Sequence, residues 1–361
     1  MKHGKTLVEL AQEIQRQAES KRDFVAPASK LFMGLQVTET ETGSHSIPVL
    51  EMQNGSVKTF GITETMHEQV ASRLEIPRHY YDRMKAEQPA LLQSNVNTWL
   101  KNSDSKYMVR TLDGNARAML SDRYRPLDNV DLAEAVLPKL ISLGVNIESC
   151  EITPRRLYLK AVTPRITAEV VKGDIVQAGL CISNSEIGGG AIKVEPLVYR
   201  LICLNGAIVN DMAMRRTHVG KRHAFLELDG AEQYYRDETR MADDRAFWLK
   251  VQDVVAAMLN EVQFKNIVSR WTEATKQAIT IDPVEVVERT AKKFLLADSE
   301  RSSVLTHLIK GGDLSAYGLL NAVTRSAQDV DNYDRSTELE RIGTQILELP
   351  RQAWTELAEV A

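Results

Sequence analysis

The sequence predicts an α+β protein: a mixed or antiparallel sheet with helices in the N-terminal and central region, followed by an all-α C-terminal region. Three observations carry this. Hairpin turn signals, Asn54-Gly55 and Asp113-Gly114-Asn115, sit between runs of strand-forming residues. Long apolar runs suited to sheet follow between positions 157 and 204. From Asp237 onward the apolar residues recur at helical spacing instead.

Taken in order, the opening from Lys5 to about Lys21 places Leu7, Leu10, Ala11 and Ile14 on one helical face. Pro48–Met52 and Val57–Phe60 flank Asn54-Gly55 as the arms of a hairpin. Thr65 and Glu68 have the spacing of a capping box, which predicts a helix through Leu74. Pro77 suits the first turn of a second helix carrying Tyr80, Tyr81 and Met84. A helix over Ala90–Leu100 precedes a second hairpin, Lys106–Thr111 and Ala116–Leu120. A helix from Asp128 to Leu143 leads into strands at Leu157–Val162, Ile175–Ile182 and Leu197–Leu204. The last is apolar throughout, as a buried central strand requires. Trp248, Val251, Val255, Met258 and Val262 then mark a long helix, with further helices near 283–295, 300–310, 314–328 and 335–348.

Composition excludes several classes. With 361 residues, 43% hydrophobic and 26% charged, the chain is long enough for two ordinary globular domains. No run approaches the roughly 18–20 apolar residues of a membrane span. Acids interrupt the N-terminal stretch where a signal peptide needs an apolar core, so a cytoplasmic location is expected. Cys150, Cys181 and Cys203 are far apart in apolar, strand-like runs and read as reduced core residues.

The net charge of −4 conceals a polarised chain. Residues 1–100 carry 11 basic and 12 acidic side chains, residues 101–226 carry 18 and 13, and residues 227–361 carry 16 and 24. The change of sign and the change to helix coincide, predicting an α+β core domain over 1–230, with a sub-boundary near 100–105, and a helical acidic region over 231–361.

Familiar catalytic and metal-binding patterns are missing. Gly188-Gly189-Gly190 lacks the Gly-Lys-Ser/Thr ending of a phosphate loop, and reads as a flexible loop able to approach a ligand. His218 and His223 have a zinc-like spacing, but lie among cations without a matching cysteine pair. No nucleophile elbow or His-Glu-x-x-His helix is present, so no catalytic residue, metal or cofactor is expected. The helices around 63–85 superficially suggest a groove-reading pair, but Tyr80, Tyr81 and Met84 favour a packed helical hairpin.

The sharpest physical signal is basic. Arg215, Arg216, His218, Lys221, Arg222 and His223 fall within nine residues, and no acid lies between Met212 and Leu226. Such a cluster attracts phosphates and releases counterions. Arg110, Arg123, Arg125, Arg155, Lys193 and Arg200 extend the candidate set, with Tyr199 among the interleaved aromatics. Arginines beside aromatic platforms are the composition of a single-strand groove.

Three stretches carry a family resemblance. They are Ile62–Met84 with its Glu75-Ile76-Pro77-Arg78-His79-Tyr80-Tyr81 centre, Tyr107–Gly114 with Ala118–Asn129, and Arg200-Leu201-Ile202-Cys203-Leu204-Asn205-Gly206. Over roughly residues 45–260 the chain resembles the phage- and plasmid-like proteins grouped as domain of unknown function family 932. The resemblance implies a mobile-element setting near recombination, antirestriction or single-strand-binding genes, and supplies no catalytic residues. By analogy with phage annealing proteins, it implies a ring- or filament-forming homo-oligomer holding DNA along a basic groove.

The expectation is therefore a DNA-binding protein that anneals single strands or mediates recombination, without nucleotide hydrolysis and without enzyme activity of its own. A host or phage recombination or defence protein is a further expected partner; a membrane is not. The alternative is an anti-defence or protein-interaction factor acting through its acidic helices. A metal-dependent nuclease ranks last.

Overall fold

A computed structural model describes residues 1–40, 43–124, 126–190, 192–209 and 237–359. Among them the chain forms twelve α-helices and eleven strands in two sheets, an α+β fold with a helical C-terminal region. None of the described helices is long and apolar enough to cross a membrane. The residues divide into two compact units.

The smaller unit comprises residues 12–130 and 186–189. It contains most of α1 (Leu7–Ser20), then β1 (Phe24–Pro27), β2 (Leu31–Thr40), β3 (Gly43–Asn54), β4 (Ser56–Ile62), α2 (Glu64–Arg73), α3 (Arg78–Glu87), α4 (Pro89–Lys101), β5 (Lys106–Leu112) and β6 (Asn115–Ser121). The sheet order is β1-β5-β6-β4-β3-β2, antiparallel except for a short parallel contact of β4 with β6. Both predicted hairpins are present. Gly55, and Asp113 with Gly114, take positive φ, the conformation their turn signals demand. Leu31, Met33, Leu50, Met52, Val109 and Met119 of the sheet share a core with Met66 and Val70 of α2, Tyr81 and Met84 of α3, and Leu92, Val96 and Leu100 of α4. The 63–85 pair is thus a packed helical hairpin.

Two local readings shift. The cap of α2 is Thr63, whose hydroxyl accepts from the Met66 N–H, and Thr65 lies inside the helix. Pro77 precedes α3 as its cap residue. The strands β1 and much of β2 carry no turn-bounded apolar alternation and were not legible.

His67 of α2 is buried, its Nδ1 2.8 Å from the Tyr81 hydroxyl. Burial, with a smaller push from Lys85, lowers its pKa from 6.5 to about 4. Between those values the unfolded chain takes up a proton that the folded chain refuses. Stability should therefore fall as pH drops from about 6.5 to about 4, by up to roughly 3 kcal/mol. Urea titrations at several pH values should show this slope reduced in His67→Gln.

The larger unit comprises residues 1–11, 131–185 and 190–361. Most of α5 (Asn129–Ser142) precedes β7 (Asn146–Ile152), β8 (Leu157–Glu169), β9 (Ile175–Asn184), β10 (Lys193–Arg200) and β11 (Asn205–Ile208). These strands form an antiparallel sheet in the order β11-β10-β9-β8-β7. Then come α6 (Asp237–Met258), α7 (Glu261–Ala274), α8 (Pro283–Phe294), α9 (Asp298–Gly311), α10 (Ala316–Ser326), α11 (Tyr333–Leu347) and α12 (Arg351–Ala358). Val176 and Ala178 of β9, Val198 of β10 and Ala207 of β11 share one core with Phe264, Trp271, Val286, Val304, Leu319 and Ile342 of the helices.

The division therefore falls near 130, where the expected boundary was 230. Between β11 and α6 the described elements change from strand to helix, and the helices complete the core of the preceding sheet. The predicted strand through Leu204 also ends early, at Arg200. Ile202 and Leu204 are exposed in a tight turn, with Leu204 at φ 52°, before β11 returns. Cys203 sits in that turn and is half-buried, whereas Cys150 and Cys181 are buried strand residues. The long helix from Trp248 breaks at Asn260, which caps α7, so Val262 is exposed in the next helix.

Candidate nucleic-acid interface

The site in the smaller unit rests on a buried ionic cluster. Arg110 of β5 has no exposed side-chain surface. Its Nε donates to Asp23 at 2.8 Å, its Nη2 to Asp128 at 2.5 Å and its Nη1 to the Glu186 carbonyl at 3.0 Å. The Glu186 carboxylate accepts from Lys21 Nζ and from Arg117 Nη2, each at 2.6 Å, and from the Asn129 N–H at 2.7 Å. Burial pushes that carboxyl up, but Arg117 and Lys21 outweigh it and hold it below the usual range.

This cluster fixes the segment that leads into the glycines. Ile187 packs with Ala118 and Leu120, and its carbonyl accepts from Gln69 Nε2 at 2.7 Å. Gln69 Oε1 in turn accepts from the Met119 N–H. Gly188 has φ 79°, and a Cβ there would lie 2.6 Å from Leu120 Cδ2. The positive φ calls for glycine, and a Cβ would in addition require the Leu120 side chain to shift. The loop expected to be loosely held is thus anchored through Glu186 and Ile187, and its tip is exposed.

Gly188 lines an open cleft of about 1020 Å³ with Gln69, Ser72 and Arg73 of α2, Lys106 and Tyr107 of β5, and Leu120–Arg123 at the end of β6. Arg73, Lys106 and Arg123 are exposed there, against the carboxylates of Asp104 and Asp122. Arg73 donates Nε to the Met119 carbonyl at 3.2 Å, and its guanidinium stands 5.9 Å from the Tyr107 ring centre. A second hollow of about 630 Å³ adjoins, sharing Arg73, Ser105 and Tyr107 and adding Tyr80, Asn95, Trp99 and Asn102. Guanidinium and ammonium groups beside aromatic faces in such a combination suit phosphates and planar rings. Among the described residues no group of three or more His, Cys, Asp or Glu is arranged to hold a metal ion.

Of the residues expected from sequence, Arg123 and Gly188 come together in this cleft. Gly189 and Gly190 are exposed beyond it. Arg155, exposed between β7 and β8, and Lys193, half-buried at the start of β10, belong to the larger unit. Three candidates need correction. Arg110 is buried among carboxylates and presents no charge to a ligand. Arg200 donates its Nε to Asp174 at 2.7 Å, and Asp174 also accepts from the buried Tyr317 hydroxyl, so its charge is spent internally. Tyr199 is a buried core residue, packed with Tyr158, Leu197 and Tyr333. Arg125, Arg215, Arg216, His218, Lys221 and Arg222 lie outside the described residues.

Sequence reasoning overlooked Arg73, Lys106, Tyr80 and Trp99. A signal existed for the aromatics. Leu92, Val96 and Leu100 form the inner stripe of α4 at i, i+4, i+8, which leaves Trp99 off it. Adjacent Tyr80 and Tyr81 cannot both face inward on one helix.

A family model described as a domain of unknown function, DUF932, matches residues 117–354. The match begins within β6, contains the whole second sheet and ends in α12, so it starts later and extends further than the resemblance seen in the sequence. Leu120–Arg123 and Gly188 fall inside it; Arg73, Tyr80, Trp99 and Lys106 precede it. No curated protein and no solved structure matches the chain. Because the matched stretch covers well over half of the sequence, the chain belongs to the DUF932 family.

Proposed function

We propose that the chain binds single-stranded DNA and acts as an annealing or recombination mediator of a mobile element, without hydrolysing a nucleotide. The observation that carries this reading is the cleft of the smaller unit, where Arg73, Lys106 and Arg123 line one open surface beside an exposed glycine. Cations held on a helix and on strand ends can each neutralise a phosphate and release counterions. Asp104 and Asp122 line the same cleft and limit the net attraction. In the cytoplasmic setting expected from the sequence, two strands held this way approach each other with less repulsion, and base pairing supplies the driving force.

Binding of a labelled oligothymidylate, titrated against salt, tests the proposal. The variant R73A/K106A/R123A should bind more weakly, and the slope of log K against log salt should shrink by about 2, at roughly 0.7 per lost phosphate contact on a single strand. R215A/R216A/K221A/R222A tests the cluster singled out in the sequence as a separate contribution. Unchanged affinity and slope in R73A/K106A/R123A would remove the cleft from the interface. No binding at low salt by the unaltered chain would end the reading altogether.

A further inference from the structure

Resting on the nucleic-acid reading above, we infer that the hollow formed by Tyr80, Trp99, Asn95 and Asn102 is a slot for an unpaired nucleobase, and that it makes the protein select single strands over duplex.

Trp99 is 55% exposed and Tyr80 45% exposed, although each lies on a helix whose inner face is already filled. Leu92, Val96 and Leu100 seat α4 in the core, and Tyr81 and Met84 seat α3. Neither exposed ring is needed for packing. Trp99 is nonetheless oriented, because its indole Nε1 donates to Asn95 Oδ1 at 3.1 Å. A fixed aromatic face costs little ordering entropy when a flat ligand stacks on it. Asn95 and Asn102 bring amide groups, able to donate and accept, to the same hollow. Ile76, buried, forms part of its apolar lining.

The occupant follows from what adjoins the slot. Arg73, Ser105 and Tyr107 line both this hollow and the cleft carrying Lys106 and Arg123. A ligand spanning the two must present anionic groups on one side and a flat, hydrogen-bonding ring on the other. A nucleotide within a strand does both. A paired base inside a duplex keeps its faces stacked on its neighbours and cannot offer one to Trp99 without being extruded. The α2–α3 connection at the rim is held in place by the Ile76 N–H donating to the Ala71 carbonyl at 2.9 Å.

The test compares three ligands on the full chain: an oligothymidylate, the same strand with abasic residues, and a duplex of equal length. The unaltered protein should bind the oligothymidylate at least about tenfold more tightly than the other two. Trp99→Ala should lose about tenfold on the oligothymidylate and nothing on the abasic strand, while Trp99→Phe keeps most of the affinity. Because Trp99 is exposed, an unchanged thermal midpoint will show that the variant folds; Tyr80→Ala provides a second, independent removal. A matched ribo-oligomer distinguishes an RNA strand from a DNA strand as the source of the base. If Trp99→Ala and Tyr80→Ala bind the oligothymidylate like the unaltered chain while R73A/K106A/R123A is weakened, the base slot is overturned and the phosphate cleft stands; a protein occupant of the hollow would give that same result. If the unaltered chain binds but no variant changes binding, the base slot and the cleft are both overturned; if nothing binds at low salt, the nucleic-acid reading itself fails.

Discussion

Replacing Glu186 by alanine should destabilise the smaller unit by about 3–5 kcal/mol, because it leaves the buried Arg117 without its carboxylate and Lys21 with only the longer pair to Asp128 at 3.6 Å. Arg117 and Lys21 each lie 2.6 Å from its carboxylate and have little exposed side chain of their own. The Asn129 N–H loses its acceptor as well. Glu186→Gln keeps the shape and an acceptor but not the charge, so it should fall between alanine and the unaltered chain. Chemical denaturation followed by circular dichroism measures both. The native carboxyl sits below its ordinary 4.5. The unfolded chain therefore takes up its proton first as pH falls. The stabilisation is fully present above that unfolded value and disappears as pH drops through the lower, folded one. The Glu186→Gln variant should lack this part of the acid sensitivity. A loss below about 1 kcal/mol in Glu186→Ala would mean that the cluster relaxes or hydrates without its central acid.

In the larger unit the equivalent weight rests on Lys160 and Glu340. They join β8 to α11 at 2.6 Å, and neither side chain has exposed surface. Lys160 Nζ also stands 4.7 Å from the Tyr333 ring centre. Glu340 Oε1 has no hydrogen-bond partner among the described residues. Lys160→Met leaves a buried carboxylate without its cation and should cost about 3–5 kcal/mol. The double variant Lys160→Met/Glu340→Leu removes both charges and fills similar volume. It should recover most of that loss, or exceed the unaltered chain, since desolvating two ions offsets their mutual attraction. A double variant no better than the single one would show that the pair is favourable in itself, and a double-mutant cycle in urea reads the coupling directly.

Helices and hairpins were legible where their cause is local. The Asn54-Gly55 and Asp113-Gly114 turns need positive φ, and few residues supply it. The stripe of Leu92, Val96 and Leu100 names α4 before any partner is known. The cap of α2 was misplaced by two residues because Thr63 and Thr65 offer the same chemistry, and only the backbone chooses between them. The candidate site was legible in part. Arg123 and Gly188 were found by charge and by glycine spacing, while Arg73 and Lys106 looked like any exposed cation.

By itself, the sequence determined the fold class, the two hairpins, the helical C-terminal region and the family, because periodicity, turn chemistry and motif spacing are short-range properties. Only the tertiary structure decided which charges are available. Arg110 meets Asp23, 87 positions away, and the Glu186 carbonyl, 76 positions away, and those partners turn a candidate phosphate ligand into a buried strut. The same holds for the unit boundary. The helices after 237 and the strands before 209 look like separate regions in composition, yet they bury one another's apolar faces, and burial does not depend on distance along the chain.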